Sequence, residues 1–288
     1  MLITQLARRI LKIYPLNTPR YSLLRLLPRV PSHLNKFSIR DGLVISGYTP
    51  GDDHVCKSLY WLGDFDPWVS NTLVRLLRSG EVACDIGANI GATALPMGKA
   101  VGEIGQVYCF EPVPKNLELL EKNIASNFFT TIHVKNIALS NADGELIIHV
   151  PNGQPGMASV NNSKATHDDI SVTACRFDDW IDATSISHVA VCKIDVEGHE
   201  ELVLEGMSKS LSDGKISAIL FEHHYSSKGK DSLISYLEKF NYEIFRIHKG
   251  LTKTHYIPFG APSKGKPTSD WVACLRNSDA LRRLLFSN

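Results

Sequence analysis

The alternation of apolar and polar segments along the chain predicts a repeating order of strands and helices. Segments with apolar residues at helical spacing, such as Leu117, Leu120 and Ile124, separate short apolar runs. Strands that are apolar on both faces belong to parallel sheets covered by helices, so the pattern predicts an α/β fold. The runs that are typical of buried strands cover residues 82–85, 106–110, 131–139, 188–195, 215–221, 242–247 and 271–276.

The first forty residues differ from the rest of the chain. They contain eight lysines and arginines and no acid, and leucines and isoleucines recur at roughly helical spacing between positions 2 and 13. Such a basic amphipathic segment packs as an appendage, lies on an anionic membrane or partner, or acts as a targeting peptide. Beyond it, Asp41 and Gly42 predict a hairpin. We therefore expect an N-terminal appendage over residues 1–59 and a main domain over residues 60–288.

Composition describes a soluble globular protein. The net charge of +1 gives no general attraction to nucleic acid, and no apolar run is long enough to span a bilayer. Six cysteines occur without a Cys-x-x-Cys pair, which favours free thiols in a reducing compartment over a zinc site. These observations predict a cytoplasmic protein, with peripheral membrane contact through residues 1–40 as an open alternative.

The motif over residues 82–91 predicts a strand, a tight glycine turn and the start of a helix. Gly87 and Gly91 let a ligand approach exposed backbone amides, with Ala88 and Asn89 between them. Glu111 follows the next apolar run, where a carboxylate binds ribose hydroxyls. Together these features predict a site for a nucleotide-like cofactor.

The spacing of the glycines favours one cofactor over another. A dinucleotide motif has three glycines, whereas this turn has Gly87 and Gly91, and Asp85 precedes them. A carboxylate repels a pyrophosphate but attracts a sulfonium and an amino group. The sequence therefore predicts S-adenosylmethionine rather than NAD.

Acidic and histidine side chains at two later strand ends are candidates for the chemistry. Methyl transfer to a hydroxyl requires a proton acceptor. Asp195 and Glu197 are the favoured bases, because their turn follows the strand expected beside the cofactor strand. His199 is a weaker candidate, and Glu200 is equally typical of a first-turn acid at a helix start. The remaining candidates are Glu222 and His223, and the spacing of all these groups predicts no metal site.

Three further patterns qualify the picture. Pro96 lies inside the helix expected over residues 92–100, so that helix either begins later or is distorted. Asp66 and Pro67 predict a helix over residues 68–77. Residues 151–169 are polar and predict a long surface loop with a functional or mobile role.

Four ordered motifs resemble those of the FkbM family of S-adenosylmethionine-dependent methyltransferases. They cover residues 85–91, 110–116, 138–141 and 193–200, and the resemblance extends over about residues 60–276. It implies a Rossmann-like class I methyltransferase fold, with a seven-stranded, mostly parallel sheet whose last strand is antiparallel. It also implies O-methylation of a hydroxyl on a small molecule, sugar or glycan.

The resemblance also assigns site residues. It implies that Asp85, Gly87, Ala88, Asn89 and Gly91 hold the methionine part of the cofactor. Glu111 and Pro112 would lie at the ribose, Ala138 and Ser140 near the adenine, and Asp195, Glu197 and His199 at the methyl group and acceptor.

Two other classes of protein stay open at this point. The first is a binding module with this fold and no turnover, which the carboxylates of Asp195 and Glu197 disfavour. The second is an NAD-dependent oxidoreductase. A nucleic-acid methyltransferase is disfavoured because no stacking motif follows a strand. The sequence does not predict the identity of the acceptor or the oligomeric state.

Overall fold

The structure, a computed structural model, describes residues 2–13, 21–31, 36–48, 54–151, 158–160, 167–223, 232–251, 253–262 and 268–286. The helices in chain order are α1 (Leu2–Ile13), α2 (His54–Leu62), α3 (Pro67–Leu76), α4 (Ala94–Val101), α5 (Pro114–Ser126), α6 (Phe177–Asp182), α7 (Glu200–Glu205), α8 (Ser208–Ser212), α9 (Ser232–Lys239) and α10 (Asp279–Phe286). The strands are β1 (Lys36–Ser38), β2 (Val44–Ser46), β3 (Val82–Ile86), β4 (Gln106–Phe110), β5 (Ile132–Lys135), β6 (Ala138–Ser140), β7 (Gly144–Pro151), β8 (His167–Arg176), β9 (Val191–Ile194), β10 (Ala218–Glu222), β11 (Tyr242–Lys249), β12 (Thr254–Pro258) and β13 (Asp270–Leu275).

An eight-stranded sheet forms the centre of the molecule. Its order is β5-β4-β3-β9-β10-β13-β11-β12, with parallel pairing from β5 to β10 and with β13 antiparallel to both of its neighbours. This confirms the predicted α/β class and the antiparallel last strand. The sheet has eight strands rather than the seven expected, because β12 adds to the edge beside β11. β12 alternates between half-buried and exposed residues, so no apolar run marks it in the sequence.

The predicted neighbours in the sheet are confirmed. β3 and β9 pair in parallel, with Asp85 opposite Lys193 and Ile86 opposite Ile194. The amide of Asp195 then donates to the carbonyl of Ile86 at 3.0 Å. The glycine turn after β3 and the acidic turn after β9 therefore lie side by side at the carboxyl ends of the strands.

Two predicted elements are each divided in the structure. The run over residues 131–139 forms β5 and then β6, which leaves the main sheet and joins a three-stranded sheet of order β6-β8-β7. The helix expected from residue 201 to residue 211 is α7 followed by α8. A β-carbon on Gly206, between them, would lie 2.0 Å from the carbonyl oxygen of Ser140, so the break lets β6 pass close by.

Other local predictions are confirmed or extended. α4 begins at Ala94, which puts Pro96 in the first turn, where its missing amide leaves no hydrogen bond unmade. Asp66 caps α3 by accepting from the amide of Val69 at 3.1 Å. The α2 and α10 helices were not predicted from the sequence.

The N-terminal elements pack against the main sheet's helices. Strands β1 and β2 form the predicted hairpin, with Asp41 at φ 61° and Gly42 at φ 78°. The Asn123 side chain on α5 donates to the carbonyl of Ser46 at 2.9 Å, and Ile45 is fully buried in the main apolar core. Helix α2 runs across position 59, where the sequence suggested a boundary, and the division into two domains stays a prediction.

The six cysteines are free thiols, and five of them are buried, as the apolar runs around them predicted. Among the described helices, none has the length and apolar content that crossing a bilayer requires.

Candidate active site

A cavity of about 330 Å³ opens at the carboxyl ends of β3, β4 and β9. Its size falls within the range of cofactor sites. Nine of the predicted site residues line it, namely Gly87, Ala88, Asn89, Glu111, Pro112, Ala138, Asp195, Glu197 and His199. Three others, Asp85, Gly91 and Ser140, do not line it but support residues that do.

The glycine turn is shaped by its contact with the neighbouring strand. Gly87 has φ +76°, and a β-carbon there would lie 1.9 Å from the carbonyl oxygen of Asp195. A residue with a side chain would therefore push β3 and β9 apart. Gly91, at φ +93°, closes the turn by donating its amide to the carbonyl of Ala88 at 2.9 Å.

The backbone amides of this turn are already used within the protein. Gly87 and Ala88 donate to the carbonyl of Phe110 at 3.0 and 3.2 Å, and Asn89 donates to Glu111 Oε2 at 2.8 Å. The expectation that these amides face a ligand is thus wrong. Gly87, Ala88 and Asn89 line the cavity although their amides are bonded inside the protein.

A buried ion cluster lies beneath the turn. Asp85 is fully buried, accepts from Thr93 Oγ1 at 2.7 Å and lies 3.4 Å from Lys193 Nζ. Lys193 Nζ also lies 3.2 Å from Asp195 Oδ2. Burial lowers the pKa of Lys193, but Asp195 and Asp85 together outweigh it and raise that pKa above its usual value. Asp85 therefore positions Lys193 and Thr93, both of which line the cavity, rather than facing a ligand itself.

Glu111 lies at the other side of the turn with its carboxylate held from three directions. It accepts from the amides of Asn89 and Val113 at 2.8 and 3.0 Å and from Asn116 Nδ2 at 3.1 Å. Burial raises its pKa to about 7, although these hydrogen bonds act in the opposite direction. A carboxylate has roughly four acceptor positions, so one is left for a hydroxyl in the cavity.

Tyr48 connects the N-terminal segment to this part of the site. Its hydroxyl donates to Asn89 Oδ1 at 3.0 Å and also bonds Asn116 Oδ1. Both asparagines contact Glu111. Tyr48 was not predicted from the sequence, because nothing around it in the chain distinguishes it from a core tyrosine.

The far end of the cavity is apolar. Phe110, Leu139 and Ile148 line it, and the last two of these come from the three-stranded sheet. Trp180 supports Phe110 from behind with an edge contact at 4.8 Å between ring centroids. Ala138 also lines the cavity, and its place near the adenine stays a prediction.

The turn after β9 is held in place by an acid and a serine. Glu200 accepts from the amides of Val196 and Gly198 at 3.1 and 3.2 Å, so it acts inside the turn as well as at the start of α7. His199 Nε2 lies 3.0 Å from Ser140 Oγ, and burial lowers its pKa. Ser140 thus orients His199 rather than meeting the cavity.

Glu197 is a second carboxyl group on the cavity surface whose pKa is strongly raised. It has φ +51°, and its carbonyl accepts from Ser159 Oγ at 2.7 Å. Partial burial and the charges of Asp195 and Glu222 raise its pKa to about 7. Ser159 belongs to the predicted long loop, of which residues 152–157 and 161–166 lie outside the described ranges.

A second cavity of about 190 Å³ adjoins the first and shares Thr93, Lys193 and Asp195 with it. Glu222 and Asp270 line it, so two cavities meet at the ion cluster. His223 does not line either cavity. Lys193 was recognisable in the sequence as a charge inside an apolar strand, whereas Thr93 carried no signal.

Within the described ranges, no group of three or more His, Cys, Asp and Glu side chains is arranged to hold a metal ion.

The methyltransferase FkbM domain model matches residues 85–244. Because this match covers more than half of the chain, the protein belongs to the FkbM methyltransferase family. Membership confirms the family predicted from the four motifs, the methyltransferase class and S-adenosylmethionine as the cofactor.

Among characterised proteins, the chain is similar to the hexuronic acid methyltransferase AglP of Haloferax volcanii. The two are 26% identical over 163 residues, which cover 55% of this chain and 64% of the relative. The match thus spans less than two thirds of the relative's length.

Among solved structures, a methyltransferase FkbM from Methylobacillus flagellatus is 16% identical, with a TM-score of 0.44 over 77% of this chain and 55% of that one. Fibrillarin of Aeropyrum pernix with bound S-adenosyl-L-methionine is 13% identical, with a TM-score of 0.42 over 84% and 94%.

Proposed function

We propose that the protein transfers the methyl group of S-adenosylmethionine to a hydroxyl group of a small molecule, sugar or glycan. The larger cavity would hold the cofactor and the adjoining cavity the acceptor. The observation that carries this proposal is the junction of the two cavities, where Asp195 and the perturbed Glu197 lie together.

Within the larger cavity, each end suits one part of the cofactor. Glu111 has an acceptor position for the ribose hydroxyls, and the apolar end around Phe110 and Leu139 suits the adenine. Asp195 and Glu197 provide negative charge for the methionine end. The cofactor supplies a methyl group on a sulfonium, which needs no further activation.

The residues at the junction would position the acceptor and remove its proton. Methyl transfer forms an oxygen–carbon bond as the carbon–sulfur bond breaks, and the hydroxyl proton must go to a base. Glu197, with its pKa of about 7, is matched to this task near neutral pH. Asp195 is the alternative base, and Lys193 fixes its orientation at 3.2 Å.

The presence of a base favours a hydroxyl acceptor over a carboxylate. A hexuronic acid, the substrate class in the relative's name, carries both groups. A carboxylate is already ionised at neutral pH and needs no base, whereas a hydroxyl does. Four acidic side chains and two lysines line the second cavity, and this excess of acid also disfavours an anionic acceptor group.

Cofactor choice is tested first by calorimetric titration with S-adenosylhomocysteine and, in parallel, with NAD. We expect binding of S-adenosylhomocysteine alone. Binding of NAD alone would contradict the proposal and favour the oxidoreductase alternative.

The role of Glu197 is tested with Glu197→Gln on a panel of sugar acceptors. We expect kcat to fall about 100-fold or more, with the affinity for S-adenosylhomocysteine nearly unchanged. Wild-type kcat should rise with pH through about 7, since the base must be ionised. Glu201→Gln, an exposed change on the adjoining helix, is the matched control.

If activity survives Glu197→Gln but is lost in Asp195→Asn, Asp195 is the base. Activity that survives both changes would contradict base catalysis at this turn. If the protein methylates the carboxyl group of a uronic acid and does not methylate a neutral sugar, the proposal of a hydroxyl acceptor is wrong.

A further inference from the structure

The first helix is attached to the protein through its basic side. Arg8 Nε donates to the carbonyl of Tyr60 at 2.9 Å, and its guanidinium lies 3.8 Å from the centre of the Tyr60 ring. Lys12 Nζ donates to the carbonyl of Ser38 at 2.6 Å, and its stem packs against Gly63. Both cations are thus directed toward the protein.

Two large apolar side chains of the same helix are exposed. Leu6 is 60% exposed and Ile10, one turn later, is 51% exposed. A surface helix of a globular protein normally buries one apolar stripe, and here Ala7 and Leu11 pack against the main apolar core. Leu6 and Ile10 lie outside that contact, so they form a second apolar strip that the protein leaves uncovered.

A second exposed apolar element packs on the same helix, α2, as the first. Leu26 is 81% exposed and Leu23 is 45% exposed, in the short turn before the hairpin. This turn rests on α2, because Trp61 Nε1 donates to the carbonyl of Pro28 at 2.9 Å. Arg8 contacts Tyr60, the residue before Trp61, so both exposed elements are held by neighbouring residues of α2.

Positive charge surrounds these leucines and isoleucines. Arg9 and Arg25 are exposed beside them, and residues 1–40 contain no acid that would neutralise them. An exposed apolar stripe bordered by arginines is the combination that binds at the surface of an anionic bilayer. A protein partner would need a matching acidic and apolar face, whereas an anionic bilayer presents both chemistries at once.

We propose that Leu6, Ile10, Leu23 and Leu26, here called the N-terminal apolar patch, dock with Arg9 and Arg25 onto the surface of an anionic lipid bilayer. The apolar side chains enter the interface between headgroups and acyl chains, and the arginines pair with lipid phosphates. This association is peripheral and reversible. It does not depend on which acceptor the enzyme methylates.

The test is co-sedimentation of the full-length protein with vesicles. One set contains phosphatidylcholine alone and the other contains phosphatidylglycerol as well. We expect binding to the anionic vesicles and much weaker binding to the neutral ones. Raising the salt concentration should weaken the binding, because it screens the arginines.

Variants separate the two contributions. Leu6→Ser, Ile10→Ser and Leu26→Ser together should lower the partition coefficient on anionic vesicles by about tenfold or more. Arg9→Gln with Arg25→Gln should lower it by about tenfold. Titration with S-adenosylhomocysteine verifies that each variant is folded.

Ile104→Ser is the matched control. Ile104 is 79% exposed but contacts Gly80, away from the N-terminal elements, so its replacement should leave vesicle binding unchanged.

Several outcomes would overturn the proposal. The proposal is wrong if the wild-type protein does not bind anionic vesicles, or if the triple serine variant binds them as well as the wild type does. Equal binding to neutral vesicles would remove the role of the arginines. A dimer in light scattering that the triple variant loses, without vesicle binding, would assign the patch to self-association instead.

Discussion

At the scale of single residues, Lys193 is the centre of the candidate site's electrostatics. It is the only cation that the described contacts place against both Asp85 and Asp195, at 3.4 and 3.2 Å. Asp85 has no exposure to solvent, so it depends on Lys193 and Thr93 to offset the cost of burying its charge.

We expect Lys193→Met to destabilise the protein by about 3–5 kcal/mol, because it leaves the buried Asp85 carboxylate without its cation. Denaturant unfolding measures the loss. Adding Asp85→Asn to the same variant should restore part of the stability. Lys209→Met, which removes an exposed ion pair with Asp182, is the control and should change stability little.

Glu111 predicts a dependence of stability on pH. Its folded-state pKa of about 7 lies above the ordinary glutamate value of 4.5, so the folded protein keeps a proton that the unfolded chain releases between these pH values. Stability of the cofactor-free protein should therefore fall as pH rises from about 4.5 to 7, by up to about 3 kcal/mol from this group.

Unfolding in denaturant at a series of pH values checks this expectation. Glu111→Gln should make the fall between pH 4.5 and 7 smaller by the contribution of this one group, with Glu197 and the other raised carboxyl groups supplying the rest. It should also weaken binding of S-adenosylhomocysteine by about 1–3 kcal/mol. An unchanged pH profile would show that the carboxyl group is not perturbed by burial.

At the scale of elements, the joint between β3 and β9 depends on Gly87. Gly87→Ala combines an unfavourable φ of +76° with a β-carbon 1.9 Å from the Asp195 carbonyl oxygen. We expect a loss of more than about 3 kcal/mol in unfolding free energy and loss of S-adenosylhomocysteine binding.

Gly260→Ala isolates the two effects. Gly260 has a similar φ of +82°, but nothing lies within 4 Å of a β-carbon there. It should cost only about 1 kcal/mol. Equal losses in the two variants would show that backbone conformation alone matters at residue 87, and that the close approach of β9 does not.

The elements that were predicted from sequence are those with strong local signals. The apolar runs, Asp66 with Pro67, and Asp41 with Gly42 are local patterns, and the structure has strands, a helix and a hairpin at these places. β12 and the separation of β6 from β5 were missed, because both depend on pairing with distant strands.

The candidate site follows the same division. Motif residues that line the cavity, such as Glu111 and Glu197, stand at strand ends and could be predicted. The hydrogen bonds from Thr93 to Asp85 and between Ser140 and His199 could not be predicted. Nothing in the sequence around Thr93 or Ser140 indicates these partners. The use of the turn's amides by Phe110 was likewise invisible without the register of β3 and β4.

At the scale of the whole molecule, the N-terminal segment is linked to the proposed cofactor site. Tyr48 follows β2, is 6% exposed, and bonds the side chains of Asn89 and Asn116, which hold Glu111. Binding at Glu111 should therefore stabilise the hairpin, and the hairpin should in turn strengthen binding, because coupling between sites is reciprocal.

We expect Tyr48→Phe to weaken S-adenosylhomocysteine binding about fivefold, which corresponds to roughly 1 kcal/mol for the lost donor. Calorimetric titration measures this change. In the wild-type protein, S-adenosylhomocysteine should slow amide hydrogen exchange in β1 and β2, and Tyr48→Phe should reduce that protection.

Tyr108→Phe serves as the control, since its hydroxyl bonds Gln106 at the amino end of β4, away from the cavity. If Tyr48→Phe lowers affinity but leaves the exchange protection of β1 and β2 intact, Tyr48 acts only on Glu111 and its asparagines. If both quantities change together, the hairpin and the cofactor site form one cooperative unit. In that case, docking of the N-terminal apolar patch on a bilayer should change the affinity for S-adenosylhomocysteine through Tyr48.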